Sequence, residues 1–179
     1  LWTSPIFKGT AAAVYDLAVN RSGNQLAIAS GHGSIKVIDL TGTQSDMILT
    51  GSELGTRAID FHPVNPVIAA YGMDEQIRVV NLISREEIFT LKAKGEYSTT
   101  PITFDPTGKY ILRKSSNSDF DFYQFKSKTP KNLKVKDGQQ YEFSPDGRRL
   151  VFQTPSGLSI YDPISLKAIK EIPLKEIQD

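Results

Sequence analysis

The sequence holds few side chains whose type and spacing could bind a metal ion. It contains two histidines, His32 and His62, and no cysteine. Neither histidine has carboxylates clustered near it in the sequence, whereas zinc sites combine His, Cys, Asp and Glu ligands. Asp119 and Asp121 would share one side of a strand, but no third ligand stands near them. We therefore predict two surface histidines, no metal site and no cofactor.

Motifs for catalysis are missing as well. The sequence has no Gly-x-Ser-x-Gly nucleophile motif, no phosphate-binding loop and no dinucleotide-binding Gly-x-Gly-x-x-Gly. Gly31 and Gly33 are interpreted as turn residues. A ligand-binding or hydrolytic protein would need acidic or histidine side chains that converge, and His32 with Asp74 is the one candidate pair. The sequence therefore favours a protein that is not an enzyme.

A lysine-rich stretch indicates a different chemistry. Residues 92–136 carry 10 basic and 4 acidic side chains, in a chain whose net charge is +1. Lysines beside aromatic residues can bind single-stranded nucleic acid through phosphate contacts and base stacking. Phe120 and Phe122, however, occupy expected core positions and would not be free to stack on bases. We therefore favour the interpretation that the lysines form a charged, solvent-exposed strand edge. The alternative is that they bind an acidic protein or RNA. The candidate basic patch consists of Lys126, Lys128, Lys131, Lys134 and Lys136.

The composition is that of a globular protein. Apolar residues make up 39% and charged residues 23% of the 179 positions, which is enough for a sizeable core. No apolar run reaches 18 residues, so we predict no membrane association. No signal peptide is visible. The first residue is Leu1 rather than Met, so we expect a processed chain or part of a longer one.

Four similar segments follow one another along the chain. Each has a strand with alternating apolar residues, such as Leu17 and Val19, then a turn and three further strands. The turns end in Gly or Asn, which tolerate positive φ, at spacings of 42, 43 and 39 residues: Gly23, Asn65, Gly108 and Gly147. Fourth strands are expected near Met47–Leu49, Glu87–Leu91, Asn132–Val135 and Ala168–Ile172. Four strands that recur every ~40–45 residues predict the blades of a β-propeller.

The third strand of each segment ends in a large apolar residue followed by a polar one. These steps are Ile38-Asp39, Val80-Asn81, Tyr123-Gln124 and Tyr161-Asp162. In the repeat length and in this step the chain resembles the WD40-repeat family, which has Trp-Asp at this place. The resemblance implies degenerate repeats, in which the polar residue still supplies a hydrogen-bond acceptor at the strand end.

The resulting prediction is an all-β fold, a β-propeller segment of four four-stranded antiparallel blades plus an N-terminal remnant of another blade. The remnant spans residues 1–9, the blades approximately 10–50, 51–92, 93–136 and 137–173, and a tail 174–179. The fourth blade has its own outer strand, which leaves Ile6–Lys8 unused. We therefore expect an incomplete propeller. The resemblance implies a ring of about seven blades, completed by the same or a partner chain. Association of two copies and four-bladed closure are the alternatives.

The resemblance also implies a function, a non-catalytic scaffold that binds other proteins in a nuclear or cytoplasmic assembly. Family members often bind through loops at one end of the blades. On this chain that candidate interaction face consists of His32, Arg57, Met73, Asp74, Glu75, Tyr97, Lys114, Asn117, Asp119 and Gln139. The runs Phe61–Leu82 and Lys128–Gly147 also resemble the propellers of Nineteen-complex splicing factors that act as ubiquitin ligases. Partner or substrate binding in such an assembly is therefore an alternative.

Overall fold

The computed structural model describes residues 13–93, 101–116, 118–125 and 130–177. The chain divides into two compact units, residues 1–93 and residues 94–179. Apart from one 3-10 turn at Leu174–Glu176, the regular elements in these ranges are β-strands. No helix in the described part of the chain is long and apolar enough to cross a bilayer. The predicted all-β class is confirmed, whereas the predicted remnant at residues 1–9 lies outside the described residues.

Unit 1 contains two four-stranded antiparallel sheets, in each of which consecutive strands are neighbours. The first sheet, blade 1, consists of β1 (Val14–Val19), β2 (Gln25–Ser30), β3 (Ile35–Asp39) and β4 (Met47–Leu49). The second sheet, blade 2, consists of β5 (Thr56–Phe61), β6 (Val67–Gly72), β7 (Gln76–Asn81) and β8 (Glu87–Lys92). Period-2 alternation of side chains gives each sheet two faces that can both pack.

Unit 2 repeats this arrangement. Its first sheet, blade 3, consists of β9 (Ile102–Phe104), β10 (Tyr110–Lys114), β11 (Asp119–Gln124) and β12 (Pro130–Lys134). Its second sheet, blade 4, consists of β13 (Tyr141–Phe143), β14 (Leu150–Thr154), β15 (Gly157–Asp162) and β16 (Lys167–Pro173). The sequence pattern therefore located all four predicted sheets, with the outer strands of blades 2, 3 and 4 differing from prediction by one or two residues at their ends.

The core of unit 1 lies between its two blades. Each blade has two faces. We call the face that packs against the next blade in the chain its trailing face; on blade 1 it consists of Ala27, Ala29, Ile35, Val37 and Leu49. We call the other face the leading face; on blade 2 it consists of Ile59, Phe61, Ile68, Ala70 and Val80, which pack against the trailing face of blade 1. Small alanines on β2 allow the larger side chains of blade 2 to approach closely.

The core of unit 2 has the same arrangement with larger side chains. The trailing face of blade 3, with Leu112, Phe120 and Phe122, packs against the leading face of blade 4, with Phe143 and Phe152. The rings of Phe120 and Phe152 meet edge to face, with centroids 4.6 Å apart, a favourable geometry for aromatic pairs. Elsewhere in blade 3, fully buried Arg113 stands opposite Asp121 in the β10–β11 register.

Each turn between a first and a second strand is closed by the side chain that precedes it. Asn20 accepts two backbone N–H groups through Oδ1, both at 3.0 Å. Asp105 and Ser144 accept backbone N–H groups in the corresponding turns of unit 2. These acceptors replace strand partners that the chain loses where it reverses direction.

His62 fills this position in blade 2, and here the sequence prediction was wrong. His62 was expected on the surface, but it is 7% exposed. Its Nδ1 accepts the backbone N–H groups of Val64 at 3.1 Å and Asn65 at 2.9 Å, so the ring is folded into the turn. Asn65, unlike Gly23, Gly108 and Gly147, is also not among the residues with positive φ. Pro66 follows it, and a residue before proline is restricted to extended backbone.

The polar residue that ends each third strand holds the loop that follows. Asp39 Oδ2 accepts the backbone N–H groups of Thr43 and Gln44, both at 2.6 Å. Asn81 and Asp162 each accept two backbone N–H groups from their own loops. The hydrogen bonds that Asp39 accepts, chiefly that from the backbone N–H of Gln44, lower its pKa to about 2. The acceptor role predicted for the degenerate Trp-Asp step is therefore present in three blades.

Candidate functional site

Three loops of unit 1 meet at the same end of its strands. They are residues 31–34 between β2 and β3, residues 50–55 between β4 and β5, and residues 73–75 between β6 and β7. We call the surface they form the loop face of unit 1. Gly55, with φ +116°, lies where they meet, because a Cβ there would be 2.9 Å from Met73 Sδ and 3.4 Å from the carbonyl oxygen of Gly31. Met73 N also donates to the carbonyl of Gly55 at 2.9 Å.

The first two of these loops interlock through backbone atoms. A Cβ on Gly33, which has φ +86°, would lie 1.9 Å from the carbonyl oxygen of Ser52, and a Cβ on Gly51 would lie 1.9 Å from that of Gly33. The Thr56 hydroxyl donates to the Gly33 carbonyl at 2.6 Å, and this bond is buried. No side chain separates the two loops here. The blades therefore hold the loop face of unit 1 in one arrangement.

An ion pair fixes the third loop. Arg78 on β7 donates to both carboxylate oxygens of Asp74, from Nη1 at 3.1 Å and from Nη2 at 2.5 Å. Burial alone raises the pKa of Asp74, but the hydrogen bonds and charge of Arg78, with a hydrogen bond from Ser52, outweigh it and lower the pKa. The bidentate geometry makes this pair stronger and more directional than a single contact. Asp74 is therefore a structural anion at neutral pH.

The side chains that the loop face offers to solvent are mixed in character. His32, Glu53 and Glu75 are exposed, and Leu54, which follows Glu53 in the chain, is 64% exposed. Glu75 has φ +58°, a turn conformation that directs the chain from β6 into β7. The predicted interaction face did not include Leu54, although a large apolar residue between Gly51 and Gly55 is a visible signal.

Arg57, at the start of β5, adds a cation beside this surface. Its guanidinium lies over the ring of Tyr15, 4.7 Å from the ring centroid, a cation–π arrangement. Arg57 and Met73 are half-buried. The predicted residues His32, Arg57, Met73, Asp74 and Glu75 therefore all lie at this end of unit 1.

Two depressions adjoin the turns and loops of unit 1. The one beside the loop face, lined in part by His32, Ile48 and Glu53, has a volume of about 280 Å³, just below the usual range for small-molecule sites. A larger groove of about 480 Å³ lies at the other end of the strands, beside Asn20 and His62. The ring and amide acceptors there are already bonded to backbone. Neither depression resembles a catalytic cleft.

The predicted site residues of unit 2 are partly engaged within their own blades. The carboxylate of Asp119 accepts the hydroxyl of Ser116 at 2.7 Å, and Lys114 Nζ lies 5.9 Å from the ring centroid of Phe120. Gln139 is exposed. Tyr97 and Asn117 lie outside the described residues. Within the described ranges, no three His, Cys, Asp or Glu side chains are grouped so that they could hold a metal ion.

The candidate basic patch follows the outer strand of blade 3. Lys131, Lys134 and Lys136 are exposed, whereas Lys126 and Lys128 lie outside the described residues. Phe120 and Phe122 are 0% and 1% exposed, as predicted, and cannot stack on nucleic-acid bases. Lys134 stands opposite Asp119 in the β11–β12 register. The described lysines therefore form a charged strand edge without an aromatic stacking platform.

One family model matches part of the chain. Residues 3–39 match the WD domain, G-beta repeat, and the matched stretch ends at Asp39, the last residue of β3. No curated protein matches the sequence. The match therefore concerns one repeat, and it agrees with the position of the degenerate Trp-Asp step in blade 1.

Solved structures resemble the chain over most of its length. A chain of the Kuenenia stuttgartiensis hydrazine synthase superposes with a TM-score of 0.72 and 17% identity, covering 93% of this chain and 52% of that one. A chain of a mitotic checkpoint complex superposes with a TM-score of 0.74 and 12% identity, with the same coverages. This chain thus spans about half the length of these proteins. Identities this low show the fold alone, so the comparisons support a WD-type β-propeller and leave its function open.

Proposed function

We propose that this chain is a non-catalytic scaffold that binds another protein through the loop face of unit 1, within a nuclear or cytoplasmic assembly. The proposal depends on the exposure of Leu54. Its loop is in close backbone contact with the neighbouring loop at Gly33 and Gly51, and the ion pair of Asp74 and Arg78 fixes the third loop. A WD-type propeller generally serves as a platform for other proteins, which agrees with the match to residues 3–39.

The rigidity of the loop face supports binding of a folded partner. Protein interfaces derive most of their affinity from a few well-packed anchors surrounded by polar residues, and Arg, Tyr and Met are enriched there. Arg57 over Tyr15 and half-buried Met73 are of these types. Because the Gly33–Gly51 interlock already fixes the backbone, a partner would not have to order these loops on binding.

The contacts of Asp74 argue against a hydrolytic function. A His–carboxylate pair acts as a base only when the two groups are within hydrogen-bond reach. The carboxylate of Asp74 is bonded through both oxygens to Arg78. The pairing with His32 on which hydrolysis would depend is therefore not formed in the described part of the chain.

Affinity capture with matched variants tests the proposal. The wild-type chain, Leu54→Glu and Val64→Glu are used as bait in extract of the source organism. Val64 is 73% exposed in the β5–β6 turn, at the other end of the strands, and controls for a charge added to an exposed apolar residue. We expect a partner that Leu54→Glu loses and Val64→Glu retains. The absence of any reproducible partner, or equal retention by both variants, would refute the proposal.

RNA binding and a role in splicing-associated ubiquitin ligation stay predictions. RNA binding through the basic patch predicts that Lys131→Glu with Lys134→Glu weakens RNA binding and reduces its salt dependence. A role in ubiquitin ligation predicts that the captured partner belongs to a splicing-associated ligase assembly. Neither function has a specific contact in the described residues behind it.

A further inference from the structure

One sheet face in unit 1 is mostly apolar and partly open to solvent. It is the leading face of blade 1, which consists of Leu17, Val19, Leu26, Ile28, Lys36, Ile38 and Ile48. Ile28 and Lys36 are buried, and the Lys36 ammonium is paired with Asp46 at 2.9 Å. Leu17 and Val19 are 58% and 56% exposed, and Ile48 is 57% exposed. The strand registers place Leu17 opposite Ile28 and Val19 opposite Leu26, so these four side chains are contiguous, whereas Lys36 stands between Ile28 and Ile48. An exposed apolar surface of this kind marks an interaction site.

The same positions are covered in blade 2. Ile59 and Phe61 take the places of Leu17 and Val19 in the repeat, and they are 3% and 6% exposed. The trailing face of blade 1 covers them. In unit 2 the trailing face of blade 3 covers the leading face of blade 4 in the same way. A leading face in this chain is therefore complementary to the trailing face of another blade.

The chain also carries a trailing face that is not fully covered. On blade 4 its apolar centre consists of Val151, Leu158 and Ile160, which are half-buried. The registers place exposed Glu142, Gln153 and Lys170 around them on the same face. The residues at the corresponding positions of blade 1 are Ala27, Ile35 and Val37, and those of blade 3 are Leu112, Phe120 and Phe122; all six are at most 1% exposed. The chain thus has an exposed leading face on blade 1 and a partly exposed trailing face on blade 4. Within each unit, faces of these two types pack against each other.

We propose that the leading face of blade 1 binds the trailing face of blade 4 of a second copy of this chain. The contact is head to tail, so it either closes a ring or continues into longer oligomers. The contact uses blade faces and is independent of the loop face of unit 1.

Sedimentation velocity of the purified chain over a wide concentration range tests the proposal. We expect monomers at low concentration and dimers or longer oligomers at high concentration. Leu17→Glu and Ile160→Glu should each raise the dissociation constant at least about a hundredfold, because a carboxylate buried against apolar groups is costly. An equimolar mixture of the two variants should regain association, since one intact leading face then meets one intact trailing face.

Two controls separate this contact from other causes. Val64→Glu adds a charge to an exposed apolar turn and should leave association unchanged. Because the chain has no cysteine, Leu17→Cys provides a single thiol whose alkylation should be slow in the associated state and fast after dilution. The proposal fails if the chain stays monomeric at every concentration. This holds whether the thiol of Leu17→Cys is alkylated rapidly or is protected by another segment or protein. It also fails if Leu17→Glu abolishes association and Ile160→Glu does not, because leading faces would then meet each other.

Discussion

Replacing Gly33 by alanine probes the interlock on which the loop face of unit 1 depends. Gly33 has φ +86°, and an added Cβ would lie 1.9 Å from the carbonyl oxygen of Ser52. That oxygen belongs to the backbone, so no side-chain rotation relieves the overlap. The loop would have to move by more than 1 Å, judged from an ordinary C···O contact of about 3.3 Å, and the Thr56–Gly33 hydrogen bond would be lost or weakened.

Gly23 provides the matched control. It also has positive φ, at +72°, but an added Cβ would have nothing within 4 Å. Gly23→Ala should therefore lose only the left-handed backbone term of about 1–2 kcal/mol. Gly33→Ala should lose that amount, about 1–3 kcal/mol more from steric overlap and about 1 kcal/mol from the hydrogen bond. The expected difference between the two variants is about 2–4 kcal/mol.

Urea unfolding followed by far-UV circular dichroism measures the free energies of unfolding. Because the chain has two compact units, amide hydrogen exchange of β2 and β5 assigns the loss to unit 1. We also expect Gly33→Ala to weaken partner capture, since the loops would be displaced. Equal losses in the free energy of unfolding for Gly33→Ala and Gly23→Ala would refute the close backbone contact between Gly33 and Ser52.

Three single contacts support further predictions. Thr56→Val should destabilise unit 1 by about 1–3 kcal/mol in urea unfolding, because it leaves the buried Gly33 carbonyl without its donor; Thr56→Ser keeps a hydroxyl and should cost less, and the reverse order would contradict this. Asp39, whose pKa falls from 3.8 to about 2 on folding, contributes stability that is complete above its ordinary pKa and disappears as the pH falls through the folded pKa. Between pH 5 and pH 2 (about the span of these pKa values) wild type should therefore lose its advantage over Asp39→Asn, and parallel urea profiles would argue otherwise. Phe152→Ala should cost about 3–5 kcal/mol, since it leaves a cavity beside Phe120, and hydrogen exchange in β11 and β14 should rise; a loss below about 1 kcal/mol would mean that the core relaxes into the space.

The candidate site was only partly predictable from the sequence. His32, Arg57, Met73, Asp74 and Glu75 could be assigned to one end of unit 1, because the repeat fixes which loops share an end. The sequence did not show that Asp74 is bonded to Arg78, since that pairing depends on the turn that brings β7 back beside β6. Tyr97 and Asn117 stay predictions.

His62 illustrates a second limit. Its place in the HPVN turn was clear from the repeat. Its burial was not, because exposure depends on whether the ring nitrogen meets water or backbone N–H groups. The turn geometry sets Val64 N and Asn65 N within hydrogen-bond distance of Nδ1, and the ring is thereby drawn inward.

The sequence alone determined the strands and the four repeats, because apolar alternation and turn residues act over a few neighbouring positions. Only the tertiary structure decided which faces are covered. Leu17 and Ile59 occupy the same place in the repeat and are similarly apolar, yet they are 58% and 3% exposed. The difference arises because Ile59 has the trailing face of blade 1 against it, while Leu17 has no blade packed there in the described part of the chain. Coverage depends on which surface lies opposite, and residue type does not encode it.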